Sequence, residues 1–101
     1  MKRVYIAGPM TGLPGYNYAA FNAEAARLRQ LGFEVENPAE NPAPSCDTWL
    51  AYMRLAISQL VRCDAVALLL GWQDSRGARV EEGLARSLGL QVVESKELLA
   101  A

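Results

Sequence analysis

Glu81 and Glu82 stand side by side in DSRGARVEEGLARSLG, residues 74–89, and this chain of 101 residues contains no histidine. That removes the commonest general base and the commonest metal ligand, and it excludes any Ser-His or Cys-His pair. Cys46 and Cys63 are far apart and fit no metal-ligand spacing, so they read as idle thiols, and neither a metal nor a cofactor is expected. Chemistry then falls to carboxylates, tyrosines, hydroxyls, arginines and backbone amides.

Helical phase separates the two glutamates. Over 77–88, Val80, Leu84 and Leu88 form an apolar row, and Glu81, Ala85 and Leu88 follow i, i+4, i+7, so Glu81 borders the buried stripe. Glu82 lies about 100° further round. It precedes Arg86 by four residues, the spacing of an exposed ion pair. A carboxylate at the core's edge is costly unless something offsets it, and the nearby helix N-terminus favours the anion. Two readings of Glu81 stay open. It is an ionised nucleophile waiting for an electrophilic carbon, or it pairs with Arg79 or a tyrosine at the core's edge.

The surrounding residues divide in the same way. Tyr5 is a satisfied core tyrosine or a hydroxyl aimed at the cleft. Trp72 stacks on a base or covers a strand end. Ser75, Arg76 and Gly77 precede a helix N-terminus, where amides and a guanidinium can hold an anion, and GPMTG at 8–12 can do the same. GPMTG is not GxGxxG, and there is no P-loop GK[ST], so a dinucleotide or P-loop site is not indicated.

The elements that must position these groups alternate. RVYIAG (3–8) reads as a strand ending in Gly-Pro, then a loop, then a helix capped by Asn17 and running to about Leu31 on Phe21, Ala25, Leu28 and Leu31. FEVEN (33–37) is a second strand, followed by a proline-rich loop. Asp47 caps the next helix, with Leu50, Met53, Ile57, Leu60 and Val61 on one face. DAVALLL (64–70) has the apolar run of a central parallel strand, 77–88 is a helix, LQVVE (90–94) a last strand, and SKELLAA adds a final turn. This order predicts one α/β domain over 1–101 with a parallel sheet of four or five strands. Ligands of such sheets bind at the carboxyl ends of the strands where strand order switches, which brings 8–17 and 71–78 together.

Half the residues are apolar, a fifth are charged, and the formal net charge is −1, with Lys and Arg scattered. That balance excludes the basic footprint of a nucleic-acid binder. The longest apolar run is too short to cross a bilayer, and MKRVYIAGP has no signal-peptide core, so residence in the cytoplasm is expected.

VYIAGPMTG, the CDAVALL strand and GW…SRGA followed by GARVEEGLARSLG resemble the nucleoside 2-deoxyribosyltransferase-like superfamily. That superfamily also holds deoxynucleoside 5′-monophosphate N-glycosidases, and the similarity is greatest to its short proteins frequent in phages and prophages. The resemblance implies a flavodoxin- or Rossmann-like three-layer sandwich, in dimers or larger homo-oligomers whose neighbouring chains complete the site. It implies cleavage of the N-glycosidic bond of a nucleoside or nucleotide, by hydrolysis or base transfer, through a glutamate that attacks the anomeric carbon. The family register of glycine, then Glu at four, Gly at six, Ala at eight and Gly at twelve falls on Gly77, Glu81, Gly83, Ala85 and Gly89. Tyr5 matches the tyrosine that bonds the nucleophile. Gly8, Met10, Thr11 and Gly12 match the loop lining the sugar and phosphate, with Trp72, Asp74, Ser75, Arg76 and Gly77 on the facing loop. One position departs: the family's Asp eight residues before Asp64 is Ala56 here. Asp47, Asp74 or a neighbouring subunit is left to stand in for it. The alternative the departure raises is a nucleotide-binding module without turnover.

Overall fold

Side chains alternate along the first strand, β1 (Arg3–Ala7), and this sorts the molecule into layers. In the computed structural model, which describes residues 2–101, Val4 and Ile6 pack with Phe21, Ala25 and Leu28. Tyr5 and Ala7 point to the other face, against Ala56, Leu60 and Ala85. The remaining strands are β2 (Glu34–Glu36), β3 (Ala65–Leu68) and β4 (Gln91–Glu94), all parallel, in the order β2-β1-β3-β4. Helix α1 (Tyr18–Gln30) covers one face, and α2 (Trp49–Leu60) and α3 (Arg76–Ser87) cover the other. The three-layer α/β sandwich is therefore as expected, with four strands. Both β1 and β3 are buried on both faces, as a parallel sheet covered by helices requires. The chain reverses its direction of travel across the sheet between β1 and β3, so their carboxyl ends form the switch point.

Several helix starts differ from the sequence reading. Asn17 stands at the N-cap position of α1 as expected, but its side chain makes no capping bond: its backbone is left-handed (φ 60°), and its Nδ2 donates to the Pro9 carbonyl at 3.0 Å, folding the β1–α1 loop back on itself. Asp47 does not cap α2; Thr48 does, accepting from the Ala51 amide. Helix α3 begins at Arg76, one residue early, with Ser75 accepting from the Ala78 amide. The third strand ends at Leu68, leaving Leu70 exposed, and SKELLAA contributes only a 3-10 turn, Ser95–Glu97, before Leu98 returns to the α1-side core.

Two glycines mark close approaches. A Cβ on Gly8 would stand 2.8 Å from Leu69 Cβ, so this residue lets β1 end against the chain leaving β3. A Cβ on Gly77 would stand 3.1 Å from the Met53 sulfur, so it sets how near the N-terminal ends of α2 and α3 come. No helix among the described residues is long and apolar enough to cross a membrane.

Candidate active site

The buried face of α3 is Ala78, Glu81 and Ala85. The two alanines let the helix lie close on the sheet, and the glutamate between them is carried inward. Val80 and Leu88, expected on the buried row, are half exposed, at 43% and 53%. Glu81 therefore lies in the contact itself rather than at its border, with only 5% of its surface exposed.

Its partner is Tyr5. The phenol donates to Glu81 Oε2 at 2.5 Å, and both residues are buried. Of the two partners expected for Glu81, the structure selects the tyrosine. Arg79 turns away and donates to the Gln73 carbonyl, tying down the β3–α3 loop. The other carboxylate oxygen, Oε1, accepts no hydrogen bond from a described residue and is not sealed from solvent. One oxygen is thus held by Tyr5 and the other is not. Glu82 pairs with Arg86.

Burial decides the electrostatics. Desolvation, partly offset by the Tyr5 hydrogen bond, raises the Glu81 pKa from 4.5 to about 7. Burial, then the charge of Glu81, pushes the Tyr5 phenol well above its ordinary value, so it stays a donor at any working pH. A buried carboxyl raised toward neutrality marks a candidate for a functional site. A nucleophilic Glu81 must be ionised, so activity is expected to rise with pH through about 7. Tyr5→Phe removes the bond that favours the anion, so the midpoint of the pH–rate profile should move up, by about one pH unit. A profile whose midpoint stays in place would detach Tyr5 from the reacting carboxylate.

The mouth lies one turn of α3 above Glu81, where Ser75, Arg76 and Gly77 open the helix. The Ser75 oxygen is used as the cap, leaving its hydrogen free to donate. The Arg76 guanidinium lies 3.9 Å over the ring of Trp49, a residue the sequence reading did not single out. Ala56, where the resemblance expects an Asp, packs in the core cluster that holds Tyr5. Met10 packs into the α1-side core, while Thr11 and Gly12 are exposed on the loop. Trp72 packs against the α2/α3-side core, and Asp74 is exposed on the 3-10 turn Trp72–Asp74. The structure thus joins Tyr5 and Glu81 directly, with Ala56 in the same core cluster as Tyr5 and Ser75, Arg76 and Gly77 at the start of the helix that carries Glu81. Cys63 is buried and its thiol is raised to about 11 by desolvation, which keeps it inert.

No curated protein matches the sequence. Among solved structures, the fold is similar to that of a 2-desoxiribosyltransferase from Leishmania mexicana, with a TM-score of 0.71 and 23% identity. The match covers 93% of this chain and 63% of that one, so this chain spans less than two thirds of that protein's length. A family model described as a domain of unknown function (DUF4406) matches residues 2–94, and the chain belongs to that family.

Proposed function

We propose that the protein cleaves the N-glycosidic bond of a nucleoside or nucleotide, with Glu81 as the nucleophile. One observation carries this reading: a buried carboxylate at the switch point with one oxygen clamped by Tyr5 and the other open to solvent. Glu81 Oε1 attacks the anomeric carbon as the bond from that carbon to the base nitrogen breaks. The bonding pair leaves with the base, which takes a proton from water. Water, or a second base, then attacks the same carbon and releases the carboxylate, so configuration is retained. Ser75, Arg76 and the amide of Gly77, with the loop at 8–12, hold the sugar and any 5′-phosphate. The similarity in fold to a 2-desoxiribosyltransferase supports this reading.

Chromatography of free base from a panel of nucleosides and 5′-monophosphates tests it, with wild type and Glu81→Gln run side by side. An added acceptor base separates transfer from hydrolysis. Ala56 favours a second reading, a module that binds a nucleotide without turnover, because a carboxylate that would assist the leaving base is replaced by a methyl group. Melting shifts with intact nucleotides and silence in the base assay would select it.

A second copy of the chain completes the site in this proposal. Clefts of about 470 and 480 Å³ are lined by residues other than Glu81 and Tyr5. Leu50, Val61, Val80 and Leu88 are 58%, 50%, 43% and 53% exposed on the same two helices that carry the site. Light scattering is expected to give a dimer or larger, and Val80→Lys should shift it toward monomer and lower base release. A wild-type monomer at micromolar concentration would remove the second copy.

A further inference from the structure

The first residues of two helices meet at the mouth of the site. Trp49 opens α2 and Arg76 opens α3, and the Arg76 guanidinium lies 3.9 Å over the indole ring. Each helix start is fixed by a hydroxyl cap one residue earlier. Thr48 accepts from the Ala51 amide at 3.1 Å, and Ser75 accepts from the Ala78 amide at 3.2 Å. The helices also approach closely there. A Cβ on Gly77 would stand 3.1 Å from the Met53 sulfur and 3.9 Å from Trp49 Nε1, and Trp49 and Met53 share one flank of α2 at i, i+4. Gly77 in turn precedes Glu81 by one turn on the same face of α3. The indole is therefore seated against the turn of α3 that leads to Glu81.

Arg76 is unlike most arginines of the chain. Arg3, Arg27, Arg29, Arg62 and Arg86 pair with carboxylates, and Arg79 donates to the Gln73 carbonyl. Among the described residues, Arg76 meets the Trp49 ring and no carboxylate or carbonyl, and it is exposed while Trp49 is half-buried. Stacking occupies the face of a guanidinium and leaves its edge, where the N–H groups lie in one plane. That edge matches two oxygens of a phosphate. An arginine held on a ring has already lost rotamer freedom, so less ordering is left to oppose binding.

We propose that Trp49 is a positioning residue: its ring holds the Arg76 guanidinium at the mouth, and the pair makes the reaction select sugars that carry a 5′-phosphate over free nucleosides. This rests on the N-glycosidic reading of Glu81. Trp49 acts through Arg76 and touches neither the anomeric carbon nor the leaving base. A sugar with its anomeric carbon at Glu81 extends its 5′ end one helical turn, about 5.4 Å along the axis, toward Arg76. A phosphate there accepts from the guanidinium edge with two oxygens. A 5′-hydroxyl offers it one neutral acceptor.

Matched substrates that differ only in the phosphate test this, each deoxynucleoside against its 5′-monophosphate, with base release read as kcat/KM. Wild type is expected to favour the monophosphate by about tenfold to a hundredfold, the value of a hydrogen bond to a charged group. Arg76→Ala should remove most of that ratio. Trp49→Leu should lower it by about two- to fivefold, through KM for the monophosphate rather than kcat, and Trp49→Phe, which keeps an aromatic face, should recover most of the loss. In the Arg76→Ala background Trp49→Leu should change the ratio no further, because the indole then has no guanidinium to hold. The ratio is internal to each protein, so a loss of folded molecules cancels from it. No monophosphate preference in wild type, an unchanged ratio in Trp49→Leu, or the same loss with and without Arg76 overturns the positioning role and leaves Glu81 chemistry standing. Should wild type release no base, the Glu81 reading falls and calorimetry with the same pairs decides. Tighter binding of the monophosphate, weakened by Trp49→Leu only when Arg76 is present, supports the role of Trp49; equal binding or none overturns it.

Discussion

Glu81→Gln is expected to lower base release by about 10³-fold or more with the fold intact. The substitution keeps size and lets Tyr5 donate to an amide oxygen where it donated to Oε2. What it removes is the electron pair on Oε1 that forms the glycosyl-enzyme. The residual path is direct attack by water on the anomeric carbon, with positioning by the mouth residues but no covalent intermediate and no negative charge beside the developing oxocarbenium ion. The size of the loss discriminates between roles. A carboxylate that only orients the substrate would cost roughly one hydrogen bond to a charged group, on the order of tenfold to a hundredfold. Single-turnover base release at pH 8, where wild-type Glu81 is ionised, measures it. A Glu81→Gln protein within tenfold of wild type would show that Glu81 is not the nucleophile.

The layer order and the facing of the site were both legible in the sequence, for different reasons. Strands β1 and β3 announce themselves because a strand buried on both faces has nearly no polar residue. Helix α2 is read correctly at Leu60, which is buried, but Leu50 on the same predicted face is exposed, and α3 misleads further. Its buried residues are Ala78, Glu81 and Ala85, while Val80 and Leu88 are half exposed. Close packing of α3 on the sheet selects small side chains, so its hydrophobic row does not mark the contact. The same tight approach is why Glu81 is more deeply buried than its place at the border of a leucine row implied. The caps illustrate a second limit. Asp47 and Thr48 are adjacent and both suit an N-cap; only the loop path decides which oxygen meets the first turn.

The substitution that removes the reaction should also stabilise the protein, and only above acid pH. In the unfolded chain Glu81 titrates near 4.5, and in the folded chain near 7. Between those values the folded state holds a proton that the unfolded state has lost, so stability falls as pH rises from about 4.5 and the loss is complete above about 7. The gap of 2.5 between the two corresponds to ~3 kcal/mol, since each pKa unit is worth about 1.4 kcal/mol. Glutamine carries no such penalty, and its amide NH₂ occupies the Oε1 position that reaches solvent. Glu81→Gln should therefore melt on the order of 10 °C higher than wild type at pH 8 and close to wild type at pH 4.5. Burying a charge against folding is the expected signature of a group kept for reactivity, and a purely structural carboxylate held by Tyr5 would show the opposite sign. Thermal unfolding of both proteins from pH 4.5 to pH 8.5 reads it directly. Curves that run parallel across that range would mean that Glu81 is solvated in the folded state, and the case for a poised nucleophile would fail with it.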